Sequence, residues 1–196
     1  PTIPVDSRGF LEIEPAREAA QTAGFPILLK ACAGGGGRGM KIVDSEDQFE
    51  QAFVTASTEV EAAFGDGHLL IEKYLARVRH IEVQLAGDRF QNLVHLGIRD
   101  CSIQRRYQKL VEESPSIGLP DSLRDKIQAA AVSLGKAVNY SSVGTVEFLV
   151  DLEKEKFYFI EMNTRLQVEH PVTEMVVGID VVKEQIQIAA GRQLSI

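Results

Sequence analysis

The stretch Tyr158–His170, YFIEMNTRLQVEH, carries a polar side chain at every second position: Glu161, Asn163, Arg165, Gln167 and Glu169. In an extended backbone successive side chains alternate, so all five would share one face. Carboxylate and amide oxygens on such a face are hard donors of the kind that hold a divalent cation. They follow directly on the apolar run Phe157–Ile160, which would anchor the strand.

A second acid can be placed opposite the first. Folding GTVEFLVD and KFYFIEMN about residue 154, in the charged turn LEKEK, sets Glu147 against Glu161 and Thr145 against Asn163. A slip of two residues keeps the same faces together, whereas a slip of one would send the apolar set outward. Two glutamates directly opposite each other repel, and a cation between them would remove the repulsion. Glu147, Glu161 and Asn163 are too few for a closed cage, which suits Mg²⁺ completed by water and phosphate oxygens. The alternative is a solvated polar face balanced by nearby arginines.

A third candidate is KACAGGGGRGMKI. It contains G-x-G-x-x-G at Gly34, Gly36 and Gly39, but a strand-like MKIV follows where a dinucleotide site needs a helix. No Gly-Lys-Ser/Thr is present for a Walker loop. Strand, glycines, strand is the order of a flap that closes its bare N–H groups on nucleotide phosphates. Lys30 ends the first strand and could place its ammonium on the same phosphates. The alternative is a surface loop beside a lysine lying along apolar surface.

Positioning these groups requires strands flanked by helices. Ala16–Ala23 reads as a helix closed by Gly24, Phe25–Ala31 as a buried strand and MKIV as a second. Ser45 would cap a helix running to Phe64, with Phe49, Ala52, Phe53 and Ala56 at helical spacing. HLLIEKYL reads as a strand leading to a boundary near Lys73–Leu75. RHIEVQLAGD and NLVHLGIRD form an antiparallel pair joined at Gly87–Asp88. Pro120–Val138 and Ile179–Ala190 read as helices. The expected class is α+β. The expected division is a linker and leading helix over 1–24, a lid over 25–75 and a central unit over 76–196.

A chain of 196 residues can bury a sizeable core. Its net charge of −7 argues against a nucleic-acid surface. No apolar run reaches membrane-spanning length. Cys32 and Cys101 form no C-x-x-C pair and read as reduced thiols of a cytosolic-type protein. The opening PTIPVDSRG lacks a start methionine and reads as linker, so the sequence is expected to be part of something longer.

Taken together, KACAGGGGRGM, IEKYL, RHIEVQ, RDCSIQRRYQKLVEE and FIEMNTRLQVEHPVTE closely resemble biotin carboxylase, of the ATP-grasp superfamily. The resemblance runs almost end to end, and its last block is the most specific. It implies an ATP-grasp fold, with a small glycine-flap lid and a larger antiparallel-sheet unit, truncated at both ends. It implies an ATP-dependent ligase that carboxylates carrier-bound biotin with bicarbonate and MgATP, through carboxyphosphate. The cofactors implied are ATP and Mg²⁺ or Mn²⁺. The partners implied are a biotin carboxyl carrier and a carboxyltransferase component, with no nucleic acid and no membrane. The whole enzyme would be a homodimer of an acetyl-CoA or propionyl-CoA type carboxylase, cytoplasmic, or in a mitochondrial matrix or plastid.

By motif, Lys30, Gly34, Gly35, Gly36, Gly37 and Met40 would hold the ATP phosphates, and Glu72, Lys73, Tyr74 and Leu75 would form the hinge strand that meets adenine. His80, Gln104 and Tyr107 would lie near the ribose and phosphates. Tyr107 stands where most members have histidine. Glu147, Glu161 and Asn163 would be the metal ligands. Lys109, Arg165, Gln167 and Val168 would cradle bicarbonate, and Glu169 would be the general base. An N-terminal domain with a further ATP-contacting lysine and a C-terminal segment with a biotin-binding arginine lie outside this sequence, so the fragment alone is expected to be inactive. GMKI is not the biotin acceptor A-M-K-M, so no biotin is attached here. The readings that compete are a non-biotin ATP-grasp ligase such as carbamoyl-phosphate synthetase, and a non-catalytic nucleotide-binding fragment.

Overall fold

A computed structural model describes residues 9–33 and 39–196. The expected flap glycines Gly34–Gly37 and most of the linker-like opening lie outside the described residues. The chain divides into two compact units. One runs to Ala76 and takes in Arg106–Gln108; the other comprises Arg77–Arg105 and Lys109–Ile196.

The first unit is a three-stranded antiparallel sheet covered by two helices. Its strands are β1 (Ile27–Ala31), β2 (Met40–Val43) and β3 (Leu69–Lys73), in the order β2-β1-β3. The helices are α1 (Ile13–Ala23) and α2 (Phe49–Phe64). Ile27, Leu29 and Ala31 alternate inward on β1 and meet Ala16 and Ala20 of α1 and Phe49, Phe53 and Val60 of α2. The leading helix therefore shares the core of the lid strands. Gly24 ends α1 with a positive φ of 69°, as a C-terminal glycine should. Ser45 precedes a single 3₁₀ turn, Glu46–Gln48, before α2 begins.

The second unit is a five-stranded sheet in the order β6-β5-β4-β7-β8. Its strands are β4 (Arg79–Gly87), β5 (Leu93–Arg105), β6 (Gln108–Glu113), β7 (Ser142–Asp151) and β8 (Lys156–Asn163), with helices α3 (Asp121–Ala137), α4 (His170–Val177) and α5 (Val181–Ala189). Alternation gives the sheet two chemically different faces. Ile81, Val83 and Leu85 of β4 and Val146, Phe148 and Val150 of β7 pack with Leu123, Ile127 and Ala131 of α3. On the other face Ala86, Leu96 and Val143 meet Val181 and Ile188 of α5, and Arg99, Glu82, Gln84, Thr145 and Glu147 form a polar region beside them. The class is α+β, as expected from the sequence.

The pairing about residue 154 holds at Thr145↔Asn163, Val146↔Met162 and Glu147↔Glu161. A bulge beside Glu147 then shifts the register by one, to Phe148↔Phe159 and Val150↔Phe157. Phe157 and Phe159 have the same parity as Glu161, so an unbroken strand would put them on one face. The extra residue sends them to opposite faces. Both phenylalanines stack edge-on against Phe148, with ring centroids 5.6 and 6.3 Å away.

One expectation is overturned. β8 ends at Asn163, and residues 164–169 form a turn rather than a strand. Pro171 stands in the first turn of α4. Its missing N–H suits a helix start and cannot serve a strand ladder. Arg165, Gln167 and Glu169 therefore do not share a strand face with Glu161. Two further elements, β6 and α4, were not expected from the sequence.

Gly87, at the end of β4, has no room for a side chain: a Cβ would lie 2.5 Å from the Tyr140 carbonyl oxygen and 2.6 Å from Leu93 Cδ1. A backbone oxygen cannot rotate away, so Gly87→Ala is expected to cost about 1–3 kcal/mol through overpacking. Urea denaturation measures this directly, and an unchanged midpoint would contradict the packing.

Candidate active site

The polar face of the larger sheet is organised in rows. Pairing aligns Arg99, Glu82, Glu147 and Glu161 on four adjacent strands, and Gln84, Thr145 and Asn163 on three. One cation and three carboxylates thus lie side by side, and the neighbouring row offers only amides and a hydroxyl. Residues from the 164–169 turn and from α4 close over these rows.

Arg99 is 0% exposed. Its guanidinium donates twice to Glu82 Oε2, at 3.2 and 3.0 Å. It also donates to Gln84 Oε1 and Thr173 Oγ1, each at 2.8 Å, to Thr145 Oγ1 at 3.2 Å and to Gln167 Oε1 at 2.8 Å. Lys109 Nζ stands over the carboxylates. It bonds Glu82 Oε1, Glu147 Oε1 at 3.1 Å and Glu169 Oε1 at 2.7 Å.

Glu147 is the most heavily bonded acid. Its Oε1 also accepts from Asn163 Nδ2 at 2.8 Å and Gln167 Nε2 at 2.9 Å. Its Oε2 lies 2.8 Å from His80 Nε2. Gln104 places its amide 2.9 Å from His80 Nδ1 and donates to the Cys101 carbonyl at 2.7 Å. The His80 ring thus bridges the Gln104 amide and the Glu147 carboxylate.

These contacts set the ionisation of the acids. Burial alone would raise the Glu147 carboxyl, but the bonds from His80 and Lys109 outweigh it and bring it from 4.5 to about 2. Glu169 is lowered in the same way, with burial overcome mainly by Lys109. Burial pushes Glu82 up, and Glu147 adds to that, against the pull of Lys109 and Arg99. Lys109 is raised despite burial because Glu82, Glu169 and Glu147 surround it. The Cys101 thiol is raised, first by burial and then by Glu82.

Of the residues proposed to hold bicarbonate, Lys109, Gln167 and Glu169 come together at Glu147. Arg165 is exposed and donates to the Leu166 carbonyl at 3.2 Å, and Val168 is 91% exposed. Glu161 lies across from Glu147 with its side chain in solvent, and its carboxylate makes no hydrogen bond among the described residues. Glu147, Glu161 and Asn163 share one face of adjacent strands, and their oxygens suit a hard divalent cation. Within 4.8 Å of one another also lie ligand atoms of His80, Glu82 and Glu147, and of Glu82, Cys101 and Glu169. Glu82 and Arg99 were missed in the sequence. The signal for Glu82 was present: His80, Glu82 and Gln84 alternate with Ile81, Val83 and Leu85, as the polar residues of 161–169 do with their neighbours.

In the first unit, Lys30 pairs with Met40, and Leu28 pairs with both Ile42 and Glu72. Lys30, Met40 and Glu72 therefore share the sheet face turned away from the helices. Lys73 instead donates to the Gly24 and Phe25 carbonyls, at 2.7 and 3.0 Å, which ties the strand to the end of α1. The Tyr74 amide donates to the Pro26 carbonyl at 3.2 Å and extends that pairing towards Leu75. The Tyr107 phenol is raised by burial and by Tyr74.

The family model for the ATP-binding domain of the carbamoyl-phosphate synthase L chain matches residues 1–196. A biotin carboxylase from Nostoc sp. is 53% identical over 195 residues, which are 99% of this chain and 43% of that protein. The crystal structure of a biotin carboxylase complex from Campylobacter jejuni superposes with a TM-score of 0.93 at 50% identity, covering 100% of this chain and 44% of that one. The biotin carboxylase domain dimer of Hydrogenobacter thermophilus 2-oxoglutarate carboxylase, solved with MgADP, ADP and bicarbonate, gives 0.92 at 50% identity, covering 100% and 43%. The chain spans less than half the length of these proteins.

The acid cluster predicts a pH dependence. Glu147 stays ionised in the fold down to about 2, while its unfolded form takes a proton near 4.5. The stability that its ionised form contributes is complete above the unfolded value and is lost as pH falls through this window. Glu169 adds to the loss, and Glu82, shifted the other way, offsets part of it. The urea midpoint should fall between about pH 6 and about pH 3, and Glu147→Gln should flatten that fall. An equally steep fall in the variant would remove Glu147 from the account.

Proposed function

Because the chain belongs to the family of the carbamoyl-phosphate synthase large-chain ATP-binding domain, and is similar along its whole length to biotin carboxylases, we propose that it is the ATP-binding and catalytic portion of a biotin carboxylase. Its fold is the α+β ATP-grasp fold of those structures. The observation that carries the proposal is the cluster of Glu147, Glu169, Gln167 and Lys109, in which one ammonium bonds both acids. A base and a candidate metal ligand are thereby fixed within reach of one cation.

In this reading Lys109, Gln167, Arg165 and Val168 hold bicarbonate beside Glu169. Lys109 keeps Glu169 deprotonated, as the lowered carboxyl requires. A base held this low takes the bicarbonate proton as the new bond forms rather than beforehand. As the proton leaves, the bicarbonate oxygen attacks the γ-phosphorus of ATP, the bond to ADP breaks, and carboxyphosphate results. Positioning and electrostatics then supply most of the rate.

Glu147, Glu161 and Asn163 are the residues that would hold Mg²⁺ or Mn²⁺. A cation bound there would neutralise charge developing on the transferred phosphoryl group. Lys30, Gly34–Gly37 and Met40 would hold the phosphates, and Glu72–Leu75 the adenine. His80 and Gln104 would orient Glu147 as well as meet nucleotide, since both are already bonded into its network.

The substrate is carrier-bound biotin, with a biotin carboxyl carrier and a carboxyltransferase as partners and bicarbonate as the carbon source. The whole protein is proposed to be a homodimer acting outside membranes, in the cytoplasm or an organelle. Among the described residues no helix is long and apolar enough to cross a membrane.

Two variants of the full-length protein test the roles, with bicarbonate-dependent ATP cleavage as the assay. Glu169→Gln should leave ATP affinity nearly intact and slow turnover by about 10²–10⁴-fold, the usual worth of a positioned base. Lost ATP affinity with unchanged turnover would refute that role. Glu161→Gln should abolish cleavage and weaken its Mg²⁺ dependence while the fold survives, since the side chain is exposed and removing it relieves repulsion. Wild-type ATP cleavage by this variant would refute the metal assignment.

A further inference from the structure

Arg99 lies outside every set of residues that the resemblance assigns, yet it hydrogen-bonds five side chains, more than any of them. We propose that Arg99 is the positioning residue of this site: it fixes the orientation of the Gln167 amide and, through Gln167 and Thr173, the place of Glu169. The proposal rests on the biotin carboxylase reading for its kinetic consequences and on geometry alone for its structural ones.

The guanidinium is wholly buried, and each of its three nitrogens donates to protein, to Glu82, Gln84, Thr145, Gln167 and Thr173. Its hydrogen-bonding capacity is therefore spent within the protein, and its action is on other side chains.

Two of its acceptors bracket the base. Gln167 precedes Glu169 in the turn, and Thr173 follows it on α4. Both are held at 2.8 Å, so the chain on either side of Glu169 is pinned to one rigid group on β5. The bond to Gln167 also decides which end of the amide faces the acids. Arg99 takes Oε1, which leaves Nε2 to donate to Glu147 Oε1 at 2.9 Å. The reversed amide would set its NH₂ against the guanidinium and its oxygen against a carboxylate. A planar fork with fixed N–H directions enforces this choice, whereas a lysine ammonium carries the charge without the geometry.

Arg99→Lys is the informative change, because it keeps a cation beside Glu82. Arg99→Met would leave Oε2 of that buried carboxylate without its donor and is expected to disrupt folding. In the full-length protein Arg99→Lys should cut kcat/KM for bicarbonate in ATP cleavage by about 10²-fold, with KM for ATP unchanged. Gln167→Met should act through the same link. The double variant should then lose no more than the more damaged single variant, as expected for residues that act as one unit.

A purely structural role predicts something different: equal losses for ATP and bicarbonate, and additive damage in the double variant. Either of those results overturns the proposal. Backbone hydrogen exchange in this chain supplies a readout independent of activity. Arg99→Lys should speed exchange over residues 164–173 and leave β7 protected. Unchanged exchange over 164–173 would overturn the proposal even if turnover fell. If wild-type protein shows no bicarbonate-dependent ATP cleavage, the functional reading fails and the exchange result alone decides the role of Arg99.

Discussion

Three carboxylates, Glu82, Glu147 and Glu169, share a largely dry pocket on one sheet face, and only two side chains with permanent positive charge, Arg99 and Lys109, are bonded to them. Taking an ion out of water costs several kcal/mol, and its partners repay that cost only with good geometry. The larger unit meets the constraint with direction as well as charge. Arg99 approaches from within the sheet and grips Glu82 with two N–H groups, while Lys109 approaches from above and touches all three acids. Amides from Asn163 and Gln167 and the His80 ring also bond Glu147. Every buried side-chain polar atom among the described residues finds a partner. The site is therefore rigid because each of its charges would be costly to release.

That arrangement depends on strand parity. His80, Glu82 and Gln84 face one way because Ile81, Val83 and Leu85 must face α3. Thr145 and Glu147 face the same way because Val146, Phe148 and Val150 face the helix too. On β8 parity alone would fail, since Phe157, Phe159, Glu161 and Asn163 all have odd numbers. The bulge beside Glu147 resolves the conflict by inserting one residue between the aromatic pair and the polar pair. The strand can thus serve an apolar face at its start and the site at its end.

Much of this was legible in the sequence, for reasons that also explain what was not. The Glu147–Glu161 and Thr145–Asn163 pairs follow from a short charged turn and period-two patterning, which are local signals. The helices expected at Ala16–Ala23 and Pro120–Val138 announce themselves by local pattern and flanking breakers, and they form at Ile13–Ala23 and Asp121–Ala137. Residues 161–169 also alternate, yet only the first three of them are strand. Alternation reports which side chains differ in polarity, not whether the backbone has a ladder partner, and Pro171 takes the chain into α4 instead. Arg99 was illegible because nothing local distinguishes an arginine in RDCS from a solvated one. Its partners come from β4, β7, the 164–169 turn and α4, and only the fold assembles them. Glu82 carried the same alternating signal as Glu161 and could have been read from it.

The two units differ in how their polar residues are held. In the smaller unit Lys30, Met40 and Glu72 stand on a sheet face away from the apolar core, and their positions come from register alone. Among the described residues none of the three has its charge or contacts fixed by a buried partner network like that of Glu147. In the larger unit, by contrast, Glu82, Glu147 and Glu169 are held by cations. A chemical step that moves charge among several oxygens gains most from dipoles that need no reorganisation. Such preorganisation is costly and is concentrated where Glu147, Gln167 and Glu169 converge. Under the proposed reaction the bicarbonate and metal end of the site belongs to that convergence. Under the same proposal, the nucleotide contacts assigned to the smaller unit fall on a sheet face whose residues are placed by register rather than by buried charge.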